Sequence, residues 1–114
     1  MDQILEAYKG VYNFQIKDGK VLPPKYKLPE KVKERCNYFA EDMEHGLSFL
    51  GALTFIIAYS EEECKKNYSL GLTKKWLPLN HEVEEWFRKF RGVGEMLVAV
   101  YLIYGLEEDA NESN

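Results

Sequence analysis

Leu47-Ser48-Phe49-Leu50-Gly51-Ala52-Leu53-Thr54-Phe55-Ile56-Ile57-Ala58-Tyr59 is the longest apolar stretch of this 114-residue chain, and its length decides the fold. A bilayer needs about 20 consecutive apolar residues to be crossed by a helix, so this stretch reads as a buried core helix. It is apolar on nearly every side, which predicts that other elements surround it. Ser48, Gly51, Ala52 and Ala58 are small and leave room for a neighbouring helix to approach.

Upstream, Val32, Cys36, Phe39, Ala40 and Met43 recur at three- and four-residue intervals, the signature of one buried stripe on a helix over 30–45. Gly46 ends or kinks it. Downstream, Ser60-Glu61-Glu62-Glu63 has the spacing of a capping box. It opens a short helix with Cys64 and Tyr68 facing inward, ending near Gly71. After a loop over 72–79 that holds Trp76 and Pro78, Asn80 is an N-cap. Val83, Trp86, Phe87 and Phe90 form the inward stripe of the helix that follows, Gly92 and Gly94 interrupt it, and 95–104 forms a second apolar helix. Ile4, Leu5 and Tyr8 suit a short helix, and Asp18-Gly19 between Val11–Lys17 and Lys20–Leu22 is a strong hairpin signal. Phe14 and Ile16 fall on one side of that hairpin. Pro23-Pro24 and Pro29 bracket an extended crossing, and Pro29 also suits a helix start.

The fold expected is therefore mainly α: a small bundle of about four core helices with a short N-terminal β-hairpin or extended arm. Residues 1–106 form one domain, 1–29 being the arm packed on it, and 107–114 an acidic, disordered tail. Shifting the chain by 46 residues aligns Gly46 with Gly92, Ile57 with Ile103 and Glu61-Glu62 with Glu107-Glu108. A duplicated helical hairpin with pseudo-two-fold symmetry would produce that pattern.

Composition narrows the class. A chain of this length buries roughly two thirds of its unfolded surface, so it folds without disulfides or structural metal. Its two cysteines, Cys36 and Cys64, lack C-x-x-C spacing and read as small buried hydrophobes. The N-terminus has neither the basic start nor the apolar run of a signal peptide, which points to the cytoplasm. Glu and Lys dominate the charges while glutamine occurs only at positions 3 and 15, a balance that leans toward a thermophilic source. Residues 1–35 carry eight Lys/Arg against five Asp/Glu, and residues 36–114 carry seven against fourteen. The two ends differ electrically.

Three functional readings follow. The chain has no Gly-rich phosphate loop, no nucleophile elbow and no Ser or Cys with His and acid partners, which points away from an enzyme and from any cofactor. The leading reading is a non-enzymatic protein-interaction module, an accessory or regulatory subunit that pairs with itself as a homodimer or with another protein. Leu47, Leu50, Leu97, Val98, Tyr101 and Tyr104 are its candidate shared surface. The alternative is a nucleic-acid-associated protein, the small subunit of a nucleoprotein complex. It would use Lys9, Lys17, Lys20, Lys25, Tyr26, Lys27 and Lys31, with Lys33, Arg35, Tyr8, Tyr12 and Phe14 interleaved, because cations meet phosphates and rings meet bases. Lys74, Lys75, Arg88, Lys89 and Arg91 would make a second patch beside Trp76. The third is a carboxylate/His metal site: Asp42 and His45 would share one helix face and His81 and Glu84 another, with Glu95 or Glu61 completing the set. Ordinary helix-end charges account for the same residues.

Overall fold

The computed structural model describes residues 2–12, 14–22, 28–71 and 74–105. Lys25, Tyr26 and Lys27 and the acidic tail lie outside the described residues. The described chain is mainly helical with a two-stranded hairpin: α1 (Asp2–Val11), β1 (Gln15–Lys17), β2 (Lys20–Leu22), α2 (Glu30–Met43), α3 (Phe49–Ile57), α4 (Glu61–Gly71) and α5 (His81–Val100), which runs on into a π-helical turn, Tyr101–Gly105. No helix among the described residues is long and apolar enough to cross a membrane.

Helices α2, α3 and α5 pack on one another at the centre, α1 lies along α5, and α4 lies against α3. Val32, Cys36 and Phe39 of α2 meet Ile56 of α3 and Val83, Phe87, Val93, Leu97 and Val98 of α5 in one apolar cluster. The α2 stripe is thus where the spacing places it. Cys64 and Tyr68 face inward from α4, and both cysteines are buried thiols. Burial pushes the Cys36 thiol up to about 12, so it is not a nucleophile at neutral pH.

Local chemistry sets the ends. The Asn80 side chain accepts from the Glu82 amide at 2.7 Å, as expected of an N-cap. Asp18 (φ 53°) and Gly19 (φ 76°) both take positive φ, which a two-residue turn with the twist of a hairpin requires. Strands pair antiparallel with Ile16 opposite Val21 and Lys17 opposite Lys20.

Two expectations are corrected. The apolar helix spans nine residues rather than thirteen: the Ser48 hydroxyl accepts from the Gly51 amide at 2.9 Å to start it, and Ala58 stops it in a left-handed conformation (φ 47°). Nor is it surrounded, since Phe49, Leu50 and Thr54 are exposed. The expected interruption of 81–104 is present: two helical stretches meet across a kink at one residue, Arg91 (φ 34°, ψ −116°), directly before Gly92. A Cβ at Gly92 would lie 3.2 Å from the Tyr8 hydroxyl of α1, and one at Gly94 3.2 Å from Cζ3 of Trp86. Gly46, by contrast, has φ 107° in a turn after α2. Gly46 and Gly92, aligned by the 46-residue shift, therefore differ in backbone conformation.

Candidate interaction surface

Arg35 organises one end of the molecule. It lies on the buried stripe of α2, one helical turn from Val32 and from Phe39, and is 2% exposed. Its Nε donates to the Ile56 carbonyl at 2.7 Å and Nη2 to the Phe55 carbonyl at 3.0 Å, both in the last turn of α3. Its Nη1 donates to the carbonyls of Leu77 at 2.8 Å and Pro78 at 3.3 Å. A cation at a helix C-terminus also meets the negative end of the helix dipole. Phe39 and Trp76 flank the guanidinium, each ring centroid 5.1 Å from Cζ. Burial lowers the Arg35 pKa to about 10, opposed by Glu61, so it stays charged at neutral pH.

Glu61 completes this clamp from the other side of the loop. One carboxylate oxygen accepts from the Trp76 indole at 2.9 Å and from the Leu79 amide at 2.7 Å. Burial alone would raise its pKa, but these two hydrogen bonds, with Arg35 and Lys65, hold it below the usual range. The rings of Phe39, Phe55, Tyr68 and Trp76 meet edge-on or tilted, with centroids 5.3 to 6.0 Å apart. Trp76 is thus a structural anchor and not an exposed base-stacking ring.

The metal candidates are not brought together. Helix α2 ends at Met43, so His45 falls in a turn and is exposed while Asp42 is buried. Asp42 instead accepts from the Tyr68 hydroxyl at 2.8 Å and lies 3.4 Å from Lys74 Nζ. Lys74 also donates to the Tyr38 carbonyl at 2.7 Å and sits 3.9 Å from the Tyr38 ring centroid. His81 is 3.9 Å from Glu85, and Glu84 is 3.7 Å from Arg88. No group of three or more His, Cys, Asp or Glu among the described residues is placed to hold a metal ion. Among them, too, no buried side-chain nitrogen or oxygen lacks a hydrogen-bond partner. The Asp42–Tyr68–Lys74 cluster ties α2 to α4 and the loop, using its polar atoms internally.

The basic N-terminal residues divide. Lys9, Lys17, Lys20 and Lys31 are exposed, Lys31 standing 3.6 Å from Glu34, while Arg35 is committed to the core. Of the interleaved rings, Tyr8 packs against the core, Phe14 meets Tyr104 edge-on at 6.0 Å, and Tyr12 is exposed. The second basic patch is divided as well, because Lys74 is taken by Asp42 and Tyr38 and Arg88 by Glu85 at 2.6 Å.

Of the six candidate interaction residues, Leu97, Val98 and Tyr101 fill the core of the single chain, and the Tyr101 hydroxyl donates to Asn37 of α2 at 3.0 Å. They are unavailable to a partner in this fold, because α5 is turned toward α2 and α3. Leu47 is half-buried, lying so close to Gly51 that a Cβ there would be 2.8 Å from Leu47 Cδ1. Tyr104 is half-buried, and Leu50 is 71% exposed.

The surface holds further apolar groups outside those six, of which alternation had marked Ile16. Ile16 (77% exposed) and Val21 (50% exposed) lie opposite one another and so share one face of the hairpin, while Gln15, Lys17, Lys20 and Leu22 share the other. Every strand residue is exposed. On α3, Phe49 and Leu50 stand outward, with Tyr59 just beyond the helix. The alternation around Ile16 was the available signal for the hairpin patch. No protein-family model, no curated protein and no solved structure matches this chain.

Proposed function

We propose that the chain is a non-enzymatic protein-interaction module, an accessory or regulatory subunit whose first partner is a second copy of itself. The observation that supports this reading is the amphipathic hairpin with its apolar side, Ile16 and Val21, open to water. A two-stranded hairpin alone is marginally stable in water and needs a covered face. Its strands of three residues, with Lys17 and Lys20 paired across them, are too short and too charged to recruit another strand along an edge. The face, not the edge, is the binding element. The polar clusters give the same direction, since among the described residues every buried side-chain nitrogen and oxygen has a hydrogen-bond partner.

Native mass spectrometry of the chain, purified without chelator, tests this directly. A mass of two bare chains is the expected result. A bare monomer across the accessible concentration range overturns the proposal, and so does retained metal or oligonucleotide mass, the latter pointing to Lys9, Lys17, Lys20 and Tyr12.

A further inference from the structure

Helix α5 is bent without a residue that forces it to bend. Residues 81–105 contain no proline, and Val83, Phe87, Phe90, Gly94, Leu97 and Tyr101 succeed one another at helical spacings of four and three straight through the break. An unbent helix would therefore present the same stripe. Yet Arg91 takes φ 34° and ψ −116°, a conformation that a residue carrying a Cβ keeps only where its surroundings impose it. Among the described residues, three other than glycine have positive φ: Asp18 in the hairpin turn, Ala58 and Arg91. The last two flank a single contact.

Ala58 ends α3 and is followed by Tyr59, whose hydroxyl donates to a carboxylate oxygen of Glu95, one turn beyond Arg91. Partial burial of the hydroxyl and the Glu95 carboxylate raise the Tyr59 pKa to about 12 against the opposing charge of Arg91, so at neutral pH Tyr59 remains a donor. We infer that α5 is a hinge at Arg91, held bent by the Tyr59–Glu95 hydrogen bond as a latch, and that it straightens when the latch opens. The inference is independent of self-association. Tyr59 is 64% exposed, so the latch opens without disturbing the core. Gly92 and Gly94 weaken helix propensity beside the hinge, which lets a single surface contact tip the balance. The half of α5 beyond Arg91 runs on into the π-helical turn, where Tyr104 meets Phe14 just ahead of the hairpin. Straightening therefore moves the hairpin relative to the first half of α5.

Double electron–electron resonance on the full chain provides the test, with spin labels on Glu84→Cys and Ile103→Cys and the labelled chain diluted into unlabelled chain. Both positions are exposed, while the native Cys36 and Cys64 are buried and escape labelling. A straight helix sets the two labelled backbones about 28 Å apart, and the bent helix sets them closer. With the latch intact, the shorter distance should dominate. Tyr59→Phe keeps the ring and removes the donor, so it should raise the ratio of long to short distances roughly fivefold, the equivalent of one hydrogen bond. Glu95→Ala should do the same, and the two together should do no more than either alone, because they break one contact. Adding Arg91→Gly to Tyr59→Phe should bring the ratio back down, since glycine relieves the bent form. A distance distribution that Tyr59→Phe leaves unchanged overturns the latch, and so do additive effects of the two variants. A long distance in the chain with Tyr59 and Glu95 intact overturns the bend itself, and an unaffected ratio on adding Arg91→Gly overturns the hinge at Arg91.

Discussion

The end of the molecule around Arg35 and the end around the hairpin are built on opposite terms. At the first, a buried guanidinium binds four main-chain carbonyls, Glu61 binds the same loop from the far side, and four aromatic rings close around both. At the second, every strand residue is exposed and, among the described residues, the ring contact is Phe14 on Tyr104. Polar groups are buried where they are satisfied, and Ile16 and Val21 of the hairpin are exposed. The first end is complete within one chain, and the second is the end that the proposed self-association would complete.

The largest break of that contrast is Arg35→Met. It keeps the stem in the core but strips donors from carbonyls of α3 and the loop, so urea unfolding should show a loss of about 3–4 kcal/mol. Trp76→Phe preserves most of the ring packing and removes the indole donor to Glu61, for which about 1–2 kcal/mol is expected in the same measurement. The pH dependence of this end has a defined sign. The Glu61 carboxyl is lowered in the folded chain, so its contribution is present above its unfolded value of 4.5 and is lost as pH falls through the lower folded value. Tryptophan fluorescence should report loosening of the loop over that acid range, and Glu61→Gln should flatten the dependence. Arg91→Gly should stabilise by about 0.5–1 kcal/mol, because φ 34° with ψ −116° suits glycine and the arginine side chain is exposed. The smallest effect on monomer stability is expected for Ile16→Asp, within about 0.5 kcal/mol, even though it should abolish self-association. A large loss there would mean that the hairpin is part of the monomer's own core.

The elements were legible because they rest on local patterns. Val32, Cys36 and Phe39 mark α2 by spacing, Asp18-Gly19 marks the hairpin by turn chemistry, and Asn80 marks the start of α5. What could not be read was what a charge does at a distance. Arg35 looked like one more cation in a basic segment, yet it occupies the same stripe as Val32 and Phe39, and its partners are 20 to 43 residues away. A charged residue on an otherwise apolar stripe was the available sign, and Asp42, also on that stripe, carried it too. The metal candidates have other surroundings: Asp42 is bound by Tyr68 and Lys74, and His45 is exposed in the turn after α2. Apolar character alone also could not tell which side of α3 would face water, since Ala52, Ile56 and Ile57 are as apolar as the exposed Phe49 and Leu50.

Amide hydrogen exchange at low and high protein concentration tests the contrast between the two ends in one experiment. Amides of α2 and α3 around Arg35 should be protected at both concentrations. Those of Gln15–Lys17 and Lys20–Leu22 should exchange rapidly when the chain is dilute and slow sharply when it is concentrated. Hairpin amides equally protected at every concentration would contradict the account, because the hairpin would then be completed by its own chain.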